Sequence, residues 1–383
     1  MAQQSAGNNA SLFRGGIDSG TANGTPGTDA RALYLKLFSG EMFKGFQRNT
    51  IARDLVMRRT LTNGKSLQFI YTGRTKAEYH TPGKSILGND DGAPPVAEKT
   101  ITVDDLLISS AFVYELDETL SHYDLRGEIS RKIGYALAEQ YDRKIFRAIT
   151  KAARKAHPIT KTNFVEPGGT QIRVGTTGTN ASDAYDAGLL INAFYDAAAA
   201  LDEKGVSGDG RVAVLNPRQY YALIQNVESN GLINRNERGD ALQSGQGIIE
   251  IAGIQIFKSM NIPFFGNFGT KYGTGSATNP GKADPGNTGS FVEEAMGDDH
   301  NVTVNDYGQQ AKFNNSCGLI FQKEAAACVE AIGPQVQTTS GDISVVYQGD
   351  VILGRLAMGA DFLNPAAAVE LFAGTATKPT AFG

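Results

Sequence analysis

Apolar and polar side chains alternate strictly over residues 66–72, SLQFIYT, placing Leu67, Phe69 and Tyr71 on one face and Gln68, Ile70 and Thr72 on the other. A period of two marks a half-buried strand. Residues 100–103, TITV, alternate again. About twenty-five residues separate the two runs, whereas a hairpin loop takes about two to five and compact domains rarely hold structureless loops beyond about fifteen. The stretch GKSILGNDDGAPPVAEK at 83–99 is therefore expected either to be disordered or to serve something other than chain reversal. A further strand is expected over 108–114. The most regular segment follows, in which Leu125, Ile129, Ile133, Leu137, Tyr141, Ile145 and Ile149 recur at every fourth position. On an α-helix this ridge drifts by about 40° per step, so the stripe meets several partners in succession. Ser121 with Asp124 resembles a capping box with Asp in place of the usual Glu or Gln, and Pro158 closes the far end. Unbroken from 122 to 156, the helix would be roughly 50 Å long, with Gly134 its weakest interior point.

Beyond a Gly- and Thr-rich connection at 159–181, a helix is expected over 183–201, capped by Ser182 and followed by Gly205. Its apolar face carries Ala187, Leu190, Ile191, Phe194, Ala197, Ala198 and Leu201. RVAVL at 211–215 reads as a buried strand, and Asn216-Pro217 starts a helix bearing Tyr220, Tyr221, Leu223 and Ile224. Strands are expected at 248–251, 254–258, 318–322, 345–346 and 351–358. Residues 29–48 suggest short helices around Leu33, Leu37, Phe38, Met42, Phe43 and Phe46, broken at Gly40. Residues 1–28 hold too few large apolar groups to order alone, and a neighbouring chain is one candidate for tying this arm down. Glycine-rich runs at 230–247 and 266–289 read as surface excursions. Strands and helices mix without a steady βαβ rhythm, which favours an α+β class.

With 383 residues, two or three lobes are expected. The 45 glycines and the absence of tryptophan indicate many turns. A net charge of -4 argues against a dedicated nucleic-acid binder. Cys317 and Cys328 form no CxxC, so reduced thiols are expected rather than a zinc site or a disulfide framework. No run reaches the roughly eighteen apolar residues of a membrane span, and residues 1–9 lack a signal-peptide pattern, so no membrane partner is expected. Arg143, Lys144, Arg147, Lys151, Arg154 and Lys155 make the last turns of the long helix basic. A solvated face complementing the helix dipole is favoured there over contact with phosphate.

Catalytic chemistry has little to build on. Gly64-Lys65-Ser66 lacks the glycine a phosphate loop needs five positions earlier, where Arg59 stands. The run at 266–275 does not satisfy GxGxxG, and neither GxSxG nor HExxH occurs. His80, His122 and His157 are scattered, and His300 beside Asp298 and Asp299 reads as solvated, as do Glu293 and Glu294. No catalytic, cofactor or metal residue is assigned, and an enzyme is not expected.

Gly64-Lys65-Ser66, Gln68-Phe69, Gly73-Arg74-Thr75, Tyr79, Pro82-Gly83, Glu98-Lys99, Ile101-Thr102, Asp104 and Leu106-Leu107 together resemble the major capsid proteins of T-seven-like short-tailed phages. That family has the fold first seen in phage Hong Kong 97. The likeness continues through Tyr114, His122-Tyr123-Asp124, Arg126 and Glu128, and returns at Asp350, Ile352, Ala357-Met358-Gly359, Leu363, Pro365 and Ala367-Ala368. A marine cyanobacterial branch is the expected neighbourhood. Between these ends the likeness is diffuse.

The resemblance implies a Hong Kong 97-like α+β fold. Its parts would be an N-terminal arm at 1–55, an extended loop at 56–104, a peripheral domain with the spine helix at 105–160, an axial domain at 161–334, and a return to the peripheral domain at 335–383. It further implies copies of the chain in hexamers and pentamers of an icosahedral shell around double-stranded DNA, held non-specifically. Portal and scaffolding protein would take part in assembly in the host cytoplasm, and the product would reside in the virion. An encapsulin-like nanocompartment shell is the alternative. A lone two-stranded ribbon is marginal in water, so the loop is expected to find its burial on another subunit. Arg74, Tyr79, Pro82, Gly83, Ile86, Leu87, Pro94, Pro95 and Val96 are the contact candidates, with Pro94-Pro95 stiffening the return. Lys84 and Lys99 compare with the crosslinking lysine of the Hong Kong 97 shell, but the T-seven-like relatives imply noncovalent contacts. Within a shell the basic half of the spine helix is expected to face inward or toward its neighbours.

Overall fold

The computed structural model describes residues 51–73, 79–85, 95–115, 125–161, 164–175, 181–225, 249–263, 305–308, 310–313, 315–338 and 348–381. In chain order come α1 (Ala52–Leu55), β1 (Met57–Thr60), β2 (Ser66–Thr72), β3 (Val96–Thr102), β4 (Leu107–Tyr114), α2 (Leu125–Arg154), β5 (Thr160–Lys161), β6 (Phe164–Val165) and β7 (Thr170–Arg173). They are followed by α3 (Ala187–Glu203), β8 (Arg211–Leu215), α4 (Pro217–Gln225), β9 (Ile249–Ile251), β10 (Ile254–Lys258), β11 (Ser316–Gln322), β12 (Ala326–Thr338), β13 (Gly349–Phe362) and β14 (Ala368–Phe372). The expected helices at 29–48, the capping box at Ser121 and Asp124, the strand at 345–346, the excursions at 230–247 and 266–289, and His300 all lie outside the described residues.

The chain divides into two units, the first built from residues 1–48, 105–140 and 332–358 and the second from 49–104, 141–331 and 359–383. In the first, β4 and β13 pair antiparallel from Tyr114↔Gly349 to Leu107↔Leu356. Period-two patterning puts Val113 and Ile352 on one face of this ribbon, where they meet Ile133 and Leu137 of α2 in a dry cluster flanked by Leu107, Ala111 and Ile129. Gly354 allows the close approach, since a Cβ there would overlap Ile133 and come within 2.8 Å of Leu137 Cδ1. Arg126 at the start of the helix pairs with Asp350 at 2.8 Å.

The second unit centres on a six-stranded sheet in the order β7-β14-β11-β8-β10-β9. Its pairs are parallel at β10–β8 and β14–β7 and antiparallel elsewhere. Every residue of β8, RVAVL, and of β14, AVELF, is buried, as in strands covered on both faces, Arg211 and Glu370 included. The tail strand β14 thus lies between β7 and β11, inside this sheet. α3 lies against β7 and α4 and buries Leu190, Ala193, Phe194, Ala197 and Leu201. Its cap is Asp186 rather than Ser182. Residues Ala181–Tyr185 form a 3-10 turn, leaving the Asp186 carboxylate to accept from Gly188 N at 2.9 Å and Leu189 N at 3.2 Å. Asn216 caps α4 as expected, its Oδ1 accepting from Arg218 N at 3.0 Å.

β2 and β3 form an antiparallel ribbon from Ser66↔Thr102 to Thr72↔Val96. The return strand is longer than TITV, because Val96, Ala97 and Glu98 continue the ladder back to Gly73, whose amide donates to Pro95 O at 2.8 Å. β1 and β12 were not expected from patterning. β12 reads AACVEAIGPQVQT, an alanine pair followed by Gly-Pro that conceals its strand character, yet Ala327–Glu330 align parallel with Met57–Thr60.

Candidate functional site

The second half of α2 is the chemical centre of the second unit. From Tyr141 to Ala153 every residue is buried, although the segment carries four cations with Arg143, Lys144, Arg147 and Lys151. The solvated face expected for these residues is overturned. The heads of Lys144, Arg147 and Lys151 are drawn inward because each of these three finds an acceptor brought in from a distant part of the chain, which offsets the cost of burying charge.

Lys144 Nζ lies 3.7 Å from Asp104 Oδ2, a carboxylate that also accepts from Tyr307 OH at 2.5 Å and Asn305 Nδ2 at 3.0 Å. Burial raises the Asp104 carboxyl above its ordinary range, against the lowering pull of Tyr307 and Lys144. Burial, with Asp104 beside it, also pushes the Tyr307 phenol well up, so that it stays a neutral donor. Arg147 donates to Gly308 O at 2.6 Å and stacks 4.7 Å over the Phe313 ring. Lys151 pairs with Asp361 at 3.0 Å. Arg154 makes a fork on Glu370, with bonds of 2.7 and 2.6 Å, and reaches Ser316 Oγ at 2.9 Å.

Other groups of the same helix tie the start of the unit. Asp142 accepts from Ile51 N at 2.7 Å and Ala52 N at 3.2 Å, so one helix supplies the anion at the N-terminus of another. Tyr141 OH donates to Glu330 Oε1 at 2.7 Å, and Arg53 holds both oxygens of that glutamate at 3.3 and 3.2 Å. Both cysteines are free thiols and buried. Burial pushes the Cys328 thiol to about 12 and raises Cys317 further still.

The ribbon sits on this unit rather than standing clear of it. Ile101 is fully buried, and Leu67, Phe69, Tyr71, Ala97 and Lys99 are half-buried on the same face. Tyr71 OH donates to Leu363 O and its ring meets His157 edge-on at 5.7 Å. Lys99 pairs with Asp361 at 2.6 Å. The expectation that the ribbon lacks burial on its own chain is thereby corrected for its inner face. The outer face differs, with Ile70 71% and Val96 64% exposed.

Of the contact candidates, Tyr79 is fully exposed, Pro82 and Gly83 are exposed, and Pro95 is half-buried against Gly73. Arg74, Ile86, Leu87 and Pro94 lie outside the described residues. Among the ridge residues, Ile129, Ile133 and Leu137 pack in the first unit. Tyr141, Ile145 and Ile149 are buried in the second. Glu128 is buried with its Oε2 3.4 Å from Arg131. Met358 is buried, Gly359 presses on Thr102 O, and Pro365 opens a 3-10 turn capped by Asn364. His122 and Asp124 lie outside the described residues.

A cleft of about 270 Å³ opens beside the ribbon end, lined by Tyr71, His157, Glu166, Lys204, Glu324 and Asn364 among others. Lys204 donates there to Gly168 O and Thr170 Oγ1, and burial lowers its ammonium to about 8. Burial also lowers His157, whose Nδ1 accepts from Ile159 N at 3.1 Å. Among the described residues no group of three His, Cys, Asp or Glu side chains converges as metal ligands. No described helix is long and apolar enough to cross a membrane. The arrangement is one of internal ties, with an exposed ribbon face left over.

The sequence profile of the Gp10A-like family, described as major capsid protein, matches residues 68–372. The major capsid protein of Escherichia phage T7 is 28% identical, the match covering 92% of this chain and 96% of the relative. That of Enterobacteria phage T3 is 26% identical over 93% and 96%. The solved capsid structure of cyanophage P-SCSP1u superposes with a TM-score of 0.67 and 32% identity, covering 92% of this chain and 97% of the other.

Proposed function

The chain belongs to the Gp10A-like major capsid protein family, and from that premise we propose that copies of it close into hexamers and pentamers of an icosahedral phage shell around double-stranded DNA. The carrying observation is the family match across residues 68–372, joined by relatives named major capsid protein over nearly their full length. The fold is a phage capsid fold of mixed helices and strands. These matches put a genome-holding shell ahead of a protein nanocompartment.

Within that fold we assign residues 1–55 to an arm, 56–104 to the extended loop, 105–160 to a peripheral domain with α2 as spine, 161–334 to an axial domain and 335–383 to the returning chain. The contact surface toward a neighbouring copy is the outer ribbon face with its loop. The exposure of Ile70, Val96 and Tyr79 supports this, since apolar groups left in water on a narrow ribbon gain most from being covered by a partner. Contacts between copies are noncovalent. Lys99, one of two lysines available for a covalent join, is held by Asp361 in its own chain.

DNA is held loosely and without sequence preference. Two observations support this: the net charge of -4, and the use of the long helix's cations in internal pairs. Few phosphates would then be neutralised and few counterions released. Portal and scaffolding proteins act during assembly in the host cytoplasm, and the role is structural rather than catalytic. Expression of the full chain with a scaffolding protein is expected to yield closed shells by electron microscopy. A monodisperse monomer under all assembly conditions would overturn the reading.

A further inference from the structure

The ribbon meets its own unit in step along residues 359–363. At one end Thr102 O presses on Gly359, where an added Cβ would come within 3.0 Å of Val103 Cα, and accepts from Asn305 Nδ2 at 2.7 Å. Three residues back along β3, Lys99 reaches Asp361 Oδ2 at 2.6 Å with its ammonium 3.8 Å over the Phe362 ring. Next, Tyr71, which pairs across the ribbon with Ala97, donates to Leu363 O. The middle contact is shared between elements, because Lys151 of α2 takes the other Asp361 oxygen at 3.0 Å and also faces the Phe362 ring at 5.7 Å.

We infer that Asp361 is a two-lysine latch that fastens the β2–β3 ribbon to the long helix, and that loss of its charge lets the ribbon swing away from the unit about Thr102. One carboxylate holds two ammonium groups that both rest on one aromatic ring. Without the anion they repel each other across that ring in a place of reduced dielectric. Lys151 is 6% exposed on a helix buried all round and has no route out, whereas Lys99 is 20% exposed on a two-stranded ribbon with water on its far side. The ribbon is therefore the part that yields. Its end at Thr102 stays pinned by Asn305 and by the lack of room at Gly359. The Tyr71 bond to a neutral carbonyl is the weaker kind beside a charge-assisted pair. Because β2 and β3 keep their own ladder from Ser66↔Thr102 to Thr72↔Val96, they move as one piece.

The latch lies within one chain, so it is tested on unassembled full-length protein, whatever that protein builds. Spin labels at Lys84→Cys and Lys323→Cys, both exposed and accompanied by two buried native thiols, report the distance from loop to body. The otherwise native chain is expected to give one narrow distance distribution. Asp361→Asn and, separately, Lys99→Met are each expected to about double its width, and Asp361→Asn to raise the acetylation rate of Lys99 about ten-fold relative to Lys84. Lys99→Met keeps the Lys151–Asp361 pair and an apolar stem over Phe362, so it decides the matter where Asp361→Asn does not fold. A narrow, unshifted distribution in a folded Lys99→Met protein overturns the latch, as does unchanged Lys99 acetylation in a folded Asp361→Asn protein.

Discussion

Glu370 has no exposed surface, yet it carries a charge and accepts from Arg154, Ser316 and Gln171. Such a group is tolerated because its partners replace the water it lost. Removing the charge while leaving Arg154 buried is expected to cost roughly 3–5 kcal/mol, as a lower urea midpoint for Glu370→Gln, whereas Arg154→Met with Glu370→Met should recover part of that loss. Lys204 gives a second prediction, with a definite sign. Its ammonium titrates near 8 when folded against 10.5 when free, so the folded state is penalised for holding the proton. Stability is whole above the free value, falls as pH drops from 10.5 towards 8, and stays reduced below. For a half-exposed group the effect is roughly 1–2 kcal/mol after solvent screening. Urea midpoints of the native chain minus those of Lys204→Met should rise between pH 7 and pH 10, and a flat difference would contradict it. Neither site was legible in the sequence, where the basic run at 143–155 reads as a wet helix end. The acids answering it, Asp104, Asp361 and Glu370, stand tens to hundreds of positions away.

At the scale of elements the periodic segments were the legible ones. SLQFIYT, RVAVL, the Asn-Pro start of α4 and the every-fourth ridge of α2 each carry their own geometry, because side-chain period and backbone period are linked. β12 and β14 were not legible. The alanine pair and Gly-Pro of β12, and the short AVELF of β14 with a glutamate at its centre, become strands because neighbouring strands supply the hydrogen bonds and burial. The same helix offers an element-scale prediction at Gly134, in the interior of a run of 30 residues, where an added Cβ meets nothing within 4 Å. Gly134→Ala is expected to stabilise by about 1 kcal/mol through lower backbone entropy in the unfolded chain, seen as a rise of about 2 °C in thermal midpoint.

For the whole molecule, the decisive feature is the ribbon with two unlike faces. The inner face is committed to the chain's own body through Ile101, Lys99 and Tyr71, while the outer one leaves Ile70 and Val96 in water. Deleting residues 83–95 should therefore leave a soluble, folded chain that builds no closed shells by electron microscopy, and normal shells would refute the assigned role of the loop. The sequence by itself determined the periodic elements, the overlong connection between β2 and β3, and the likeness to a capsid family, since these depend on residues close together or on motifs read in order. Only the tertiary structure decided that the cations of the long helix point inward and that the ribbon rests on its own unit. Those outcomes depend on which distant carboxylates and carbonyls arrive beside each ammonium, and the Coulomb attraction that repays desolvation exists only once the chain has brought them within a few ångströms.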